Sequence, residues 1–169
     1  MLIIGQGILY SFMAVMALIL NLSDHKQENI SEIKLRKLHY NIDKTGVAIQ
    51  GYDPISYLLS RPKKGVAEFS YIYKGITYLF SSQKNMELFK RAPTKLEPEY
   101  GGWCAYAMGA SGEKVEIDPK SFKITNGKLY LFYKSYFNNT IEKWNKDEVH
   151  LSTKADSNWK KLVMNENTK

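Results

Sequence analysis

The chain has 169 residues, of which 44% are hydrophobic and 13% aromatic, enough for one domain with a substantial core plus extensions. Its net charge is +7, but the lysines are spread along the chain without a zinc-finger, RNP-like or helix-turn-helix pattern, so we expect no nucleic-acid partner. The single cysteine excludes an intramolecular disulfide and a metal cage built from cysteines alone.

Residues 1–22 carry no charge and are mostly apolar; the first charged side chain is that of Asp24. This length suits a bilayer span, which needs about 20 apolar residues, and it also suits the apolar region of a signal peptide. There is no lysine or arginine near the start and no Ala-x-Ala site. We therefore expect a signal peptide or a membrane anchor, with cleavage left open. The protein is expected to be exported, and either periplasmic or attached to the membrane through this segment if it is uncleaved.

Residues 23–45 are predicted to form a polar tether with some helix and a first strand. In that strand Leu38, Tyr40 and Ile42 alternate, and a returning strand would run from Val47 to Ile49 after the turn at Gly46. Asp53 followed by proline is typical of a helix start, because aspartate is a good N-cap and proline suits the first helical position.

Two β-hairpins are predicted from alternating aromatic and aliphatic residues on either side of short turns. The four strands and two turns are Val66–Tyr73, Lys74-Gly75, Ile76–Phe80, then Phe122–Thr125, Asn126-Gly127, Lys128–Tyr133. Both faces of the last strand are expected to be covered, because apolar side chains point to both sides.

Helices are expected between and after the hairpins. Their predicted positions are Ser82 to Lys90, Trp103 to Met108, a helix from Ser135 that includes Phe137, Ile141 and Trp144, and a last helix that includes Trp159 and Leu162. The predicted fold is α+β: one compact domain at residues 46–162, with two antiparallel hairpins and short packed helices, preceded by the N-terminal apolar segment and followed by a tail at 163–169. We expect no internal repeat.

Four motifs resemble the YHS domain in the extended form found in exported bacterial proteins, most of which have no assigned function. They are Gly51-Tyr52-Asp53-Pro54, the stretch from Tyr73 to Ser82, the stretch from Tyr100 to Ala107, and the stretch from Asn126 to Leu131, within a match from about Gly46 to Leu162. The resemblance implies a scaffold whose shorter members are associated with soft metals such as copper through cysteines. Here the corresponding positions are Ser56, Ser81 and Asn85, so that cysteine site does not carry over.

Cys104 is the remaining candidate for soft-metal chemistry. If residues 103–108 are helical, Cys104 and Met108 share a helix face, and a thiolate with a thioether suits Cu(I). A third ligand would be His150 or Met86. The alternative is that both sulfur side chains only pack in the core, as free cysteine and methionine often do.

An enzymatic role would need Cys104 as a nucleophile beside a histidine base. The histidines are His25, His39 and His150, none with a hydrolase signature, so we expect no catalysis. Eight aromatic residues could line a ligand pocket or form the core: Tyr52, Tyr57, Tyr71, Tyr73, Tyr78, Tyr100, Trp103 and Tyr106. The carboxylates Glu97, Glu99, Glu113, Glu116 and Asp118 are more typical of a solvated rim than of a metal site.

Three functions therefore remain, and the sequence identifies no protein partner. The first is a non-enzymatic, exported or membrane-tethered YHS-like protein that binds a small ligand or a soft metal ion, such as copper, at Cys104, Met108 and His150. The second is a structural or interaction module without a metal. The third is a thiol-dependent enzyme.

Overall fold

The computed structural model describes Met16, Gln27 and residues 29–164. The predicted signal peptide or anchor at residues 1–22 therefore lies outside the described residues except for Met16, and so does the tail from residue 165 onward. No helix in the described part of the chain is long and apolar enough to span a bilayer.

The predicted α+β fold with two antiparallel hairpins is confirmed. Strands β1 and β2 form one two-stranded sheet and β3 and β4 form another, and helices lie before, between and after the two sheets. The elements are α1 (29–39), β1 (Val66–Tyr73), β2 (Ile76–Phe80), α2 (Gln83–Arg91), α3 (Pro93–Leu96), α4 (Ala105–Ala110), β3 (Asp118–Thr125), β4 (Lys128–Phe132), α5 (Thr140–Lys146) and α6 (Glu148–Met164).

Local sequence signals account for the hairpins and for the start of α2. Lys74-Gly75 and Asn126-Gly127 both have positive φ angles at the two central positions, which suits the right-handed twist of the flanking strands. The side chain of Ser82 accepts a hydrogen bond from the backbone N–H of Asn85 at 3.2 Å, so Ser82 is the N-cap of α2 as predicted.

Four local predictions were wrong. The strand expected at Leu38 to Ile42 is absent because α1 continues to residue 39, and the returning strand expected from Val47 to Ile49 is absent because a left-handed turn begins at Ile49. Only isolated bridges join Ile42 to Ala48 and Val47 to Thr77. Helix α4 begins at Ala105 rather than Trp103, because Cys104 has an extended ψ of 114° and forms a bridge with Leu131.

The helix expected from Ser135 begins five residues later, at Thr140. A turn precedes it, in which the backbone N–H of Ser135 donates to the carbonyl of Asn138 at 2.9 Å.

The prediction that the chain has no internal repeat is also wrong. Residues 47–92, the first repeat, and residues 98–147, the second repeat, contain the same unit: a left-handed turn, a hairpin and a helix. The turns match in conformation. Successive φ angles are 54°, 52° and 80° from Ile49 to Gly51, and 55°, 61° and 86° from Tyr100 to Gly102.

The hairpins of the two repeats also match in register. In the first, Val66 pairs with Phe80 and the next pair is Ser70 with Leu79; in the second, Asp118 pairs with Phe132 and the next pair is Phe122 with Leu131. Each hairpin also forms a parallel bridge to the residue two positions before its own left-handed turn, Val47 with Thr77 and Pro98 with Leu129. Hairpins in general need neither this register shift nor this parallel bridge. Their presence in both hairpins therefore identifies one repeated unit.

Each repeat builds its core from the same three aromatic positions. Tyr78 and Phe80 of β2 pack against Phe89 of α2, with ring centroids 4.8 and 5.2 Å away. Tyr130 and Phe132 of β4 pack against Trp144 of α5, at 5.4 and 5.6 Å. The helices then end in the same conformation, with φ/ψ of −152°/56° at Ala92 and −152°/50° at Asp147.

Helix α1 packs on the domain and ends close to the second left-handed turn. The carbonyl of His39 accepts a hydrogen bond from the indole N–H of Trp103 at 2.6 Å, and the backbone N–H of Asn41 donates to the carbonyl of Gly101 at 2.9 Å. At the β1–β2 turn, a Cβ atom on Gly75 would lie 2.7 Å from Cγ2 of Ile33, so this close approach requires glycine. The helical part of the predicted tether is thus held against the first hairpin.

Candidate functional site

Cys104 occupies the position in the second repeat that Asp53 occupies in the first, two residues after the last residue of the left-handed turn. Both side chains are fully buried. The Asp53 carboxylate accepts hydrogen bonds from the backbone N–H of Ser81 at 2.9 Å, the Ser81 hydroxyl at 2.7 Å and the Asn85 amide at 2.7 Å. It therefore ties the end of β2 and the start of α2 to the turn.

The sulfur of Cys104 makes the corresponding contacts. It accepts a hydrogen bond from the backbone N–H of Tyr133 at 3.3 Å and lies 3.4 Å from the hydroxyl oxygen of Thr140. Tyr133 follows β4 directly, as Ser81 follows β2, and Thr140 precedes Trp144 by four residues, as Asn85 precedes Phe89. Because the Thr140 hydroxyl donates to the carbonyl of Tyr133 at 2.7 Å, the thiol donates to the Thr140 oxygen and accepts from the Tyr133 N–H, which is a structural role.

The other predicted metal ligands differ in burial and packing. The backbone N–H of Met108 donates to the carbonyl of Cys104 at 3.0 Å, but the Met108 side chain is buried in a cluster with Tyr130 and Trp144, whereas Cys104 belongs to the cluster that includes the first hairpin. His150 is exposed on α6, and Met86 is half-buried on α2. The premise that Cys104 and Met108 share a helix face was wrong, because Cys104 precedes α4.

The two hydrogen-bond partners found for the Cys104 sulfur within residues 29–164 are a hydroxyl and a backbone N–H, neither of which is a soft ligand. In the described part of the chain, no three His, Cys, Asp or Glu side chains are grouped so that they could hold a metal ion. Copper binding at Cys104, Met108 and His150 stays a prediction.

The positions implied by the YHS resemblance surround Asp53. Ser81 and Asn85 donate to its carboxylate, and the hydroxyl of Ser56 donates to its backbone carbonyl at 2.6 Å. These groups satisfy one another in a buried network.

A cavity of about 300 Å³, which we call the cleft, opens where α1, α6 and the segment joining the two repeats meet. Arg36 lies in it with 11% of its side chain exposed, paired with Glu97, which is 9% exposed. The same Oε1 atom of Glu97 accepts a hydrogen bond from the hydroxyl of Tyr78 at 2.6 Å. The guanidinium group of Arg36 also donates to the hydroxyl of Tyr40 at 2.6 Å and stacks over that ring at 4.2 Å. Helix α1 is thus anchored by a charged group that is almost withdrawn from water.

Charge and burial act together on the titrating groups of the cleft. Burial opposes the charged form of Arg36, but the hydrogen bond and the negative charge of Glu97 outweigh it and raise the pKa of Arg36. Burial, followed by the negative charge of Glu97, raises the pKa of Tyr78 and of Tyr40. Arg36 therefore stays cationic and the two tyrosines stay neutral at physiological pH.

The opposite wall of the cleft is formed by Tyr100, Asp156 and Trp159. The Tyr100 hydroxyl donates to the Asp156 carboxylate at 3.0 Å, and burial together with that charge raises the pKa of Tyr100. Trp159, on the next turn of α6, meets the ring of Tyr40 edge to face at 5.9 Å. Gly101 lies between them: a Cβ there would be 2.8 Å from Cη2 of Trp159 and 3.1 Å from the Tyr40 ring.

The cleft is acidic although the chain as a whole is basic. Four carboxylates line it (Glu32, Glu97, Glu99 and Asp156) against two basic side chains (Arg36 and Lys74), a balance of −2 in a chain of net charge +7. Ion pairs join Glu97 to Arg36, Glu32 to Lys74 at 2.5 Å, and Glu99 to Lys128 at 3.2 Å. Asp156 is the one cleft carboxylate without a direct ion pair among the described residues, although, against the effect of burial, its charge and that of Glu99 raise the pKa of Lys128.

Comparisons with protein-family models, with curated proteins and with solved structures gave no match. The assignment of a site therefore depends on the geometry of this chain.

Sequence reasoning named part of the cleft and missed its organisation. Tyr73, Tyr78 and Tyr100 were among the candidate pocket aromatics, and Glu97 and Glu99 were interpreted as a rim. Arg36 and Asp156 were missed because they approach their partners across 61 and 56 residues of sequence, and no local pattern reports such contacts.

Proposed function

We propose that this chain is a non-enzymatic binding module, exported or membrane-tethered and YHS-like in its motifs, and that the cleft binds a small organic cation. The observation that carries the proposal is Asp156. Its carboxylate lines the cavity, is held by the Tyr100 hydroxyl, belongs to an exposed residue and forms no direct ion pair among the described residues, whereas the other three cleft carboxylates are ion-paired.

The wall around Asp156 suits an alkylammonium group. Trp159, which is half-buried, lines the cleft beside the carboxylate, and aromatic faces attract cations, with tryptophan the most effective ring. The faces of Tyr40 and Tyr73 already contact Arg36, at 4.2 and 5.3 Å, so the Asp156 side of the cleft remains for a ligand. Its surplus negative charge would concentrate cations at the opening.

The size of the cavity limits the ligand to a small molecule. At about 300 Å³ it lies at the lower end of the range for ligand sites. A compound of the size of choline fits that volume, whereas a peptide does not.

The test is calorimetric titration of the full chain with choline and with 3,3-dimethylbutan-1-ol, its uncharged isostere. We expect saturable binding of choline and binding of the isostere at least about tenfold weaker, since cation–π attraction and the charge of Asp156 are lost. Equal binding of the two compounds, or no binding of choline at millimolar concentration, would contradict the proposal.

Two variants locate the site. Asp156→Asn keeps an oxygen to accept the Tyr100 hydrogen bond but removes the charge, so choline affinity should fall about tenfold while the melting temperature changes little. Glu68→Gln makes the same chemical change on the exposed part of β1, outside the cleft, and should leave affinity unchanged. An equal effect of the two variants would mean that choline responds to overall charge only.

A further inference from the structure

The connection from β4 to α5 carries two aromatic side chains that are almost fully exposed. Tyr136 is 95% and Phe137 is 93% exposed, and the two rings meet edge to face with centroids 4.8 Å apart. Neighbouring exposed rings of this size often mark a contact surface. We call residues 134–139 the aromatic loop.

The backbone of the aromatic loop is held in place. The N–H of Ser135 donates to the carbonyl of Asn138 at 2.9 Å, and the N–H of Thr140 donates to the carbonyl of Tyr133 at 3.1 Å. An isolated antiparallel bridge joins Lys134 to Asn139 at the base. The turn therefore presents both rings to solvent in a defined arrangement.

The fold does not require this loop. In the first repeat, three residues (82–84) join Ser81 to Asn85, the two groups that contact Asp53. In the second repeat, six residues (134–139) join the corresponding Tyr133 and Thr140. The first repeat thus makes the same connection with three residues, and the longer connection of the second repeat carries the exposed rings.

We propose that the aromatic loop inserts Tyr136 and Phe137 into the interface of an anionic lipid membrane. Phenylalanine supplies an apolar ring, and tyrosine suits the headgroup level because it is apolar along its body and polar at its tip. Lys134 at the base of the loop and Lys143 and Lys146 on α5 are exposed, and they complement lipid phosphates.

Two further properties favour a lipid surface over a protein partner. The chain has a net charge of +7, which attracts it to anionic headgroups without a specific docking site. Residues 1–22, expected to be a signal peptide or a membrane anchor, would hold the chain at the same surface if they are not cleaved.

The test places a tryptophan at the tip of the loop in the full chain. The Phe137→Trp variant is mixed with phosphatidylcholine:phosphatidylglycerol vesicles whose acyl chains are brominated or unbrominated, and the wild-type emission is subtracted. We expect the added emission to shift to the blue and to be quenched about twofold by bromine, because an interfacial ring reaches the upper acyl chains. Quenching should weaken with phosphatidylcholine alone.

Leu59→Trp is the matched control. Leu59 is 73% exposed in the first repeat, so a tryptophan there fits without repacking, and its emission should not respond to bromine. This comparison holds whether or not residues 1–22 attach the chain to the vesicle. If position 137 is quenched no more than position 59, the membrane proposal is overturned and a protein partner becomes the explanation for the exposed rings.

Discussion

Replacing Glu97 by alanine should be among the most damaging single changes in this chain. The substitution leaves the guanidinium group of Arg36, 11% exposed, without its carboxylate, and the fully buried Tyr78 hydroxyl without its acceptor. Breaking a buried ion pair by removing one partner costs about 3–5 kcal/mol. Because about a tenth of each charged side chain still reaches solvent, we expect about 3 kcal/mol of lost unfolding free energy, at the low end of that range.

Urea unfolding followed by circular dichroism measures this loss. Glu68→Ala removes an exposed carboxylate from β1 and should stay within about 0.5 kcal/mol of wild type. The double variant Arg36→Met/Glu97→Leu should regain a large part of the loss, since apolar side chains of similar volume replace a buried pair well. A loss below about 1 kcal/mol for Glu97→Ala, or a double variant no more stable than the single one, would refute the role assigned to this pair.

Three further predictions follow from individual contacts. Gly101→Ala should lower the melting temperature by more than Gly127→Ala does. Both glycines have positive φ, but only a Cβ at position 101 would lie against Trp159. Equal losses for the two variants would argue against that contact. Cys104, fully buried, should react with a thiol reagent only after unfolding; rapid labelling of the native protein would argue against its structural role. Burial would raise the pKa of Glu148, but the hydrogen bonds from Lys123 and its other partners, together with the charge of Lys123, outweigh burial and lower that pKa below its ordinary 4.5. The stability that Glu148 contributes is therefore present above pH 4.5 and is lost as the pH falls through its folded-state pKa. If melting temperature is measured against pH, Glu148→Gln should reduce its fall below pH 4.5.

The hairpins could be predicted from sequence because their signals are local. Lys74-Gly75 and Asn126-Gly127 specify tight turns, and the alternating residues beside them specify strands. The start of α2 at Ser82 was equally local. The predicted first strand failed because α1 docks on the first hairpin, and this tertiary contact extends the helix past Leu38.

The internal repeat had a sequence signal that could have revealed it. Gly75 to Phe80 and Gly127 to Phe132 share the pattern Gly-x-x-Tyr-Leu-Phe. The left-handed turns had a partial signal in Gly51 and Gly101-Gly102, but Ile49 and Tyr100 are residues that sequence reasoning does not assign to positive φ. The role of Cys104 became interpretable only once the repeat showed that Asp53 is its counterpart.

The cleft could not be predicted because its charged groups come from segments that are distant in sequence. Arg36 lies on α1, Glu97 between the repeats and Asp156 on α6. Each is an ordinary charged residue in its local pattern, and their shared location follows from how the two repeats and the flanking helices pack.

The connection between hairpin and helix has three residues in the first repeat (82–84) and six in the second (134–139), so the shorter segment can be tested in place of the longer one. A variant in which Ser-Gln-Lys replaces residues 134–139 would have the shorter connection in both repeats. Tyr133 and Thr140 would still contact the thiol of Cys104. The scaffold thus combines a framework common to both repeats with a connection whose length differs between them, and that connection lies outside the buried contacts of Cys104.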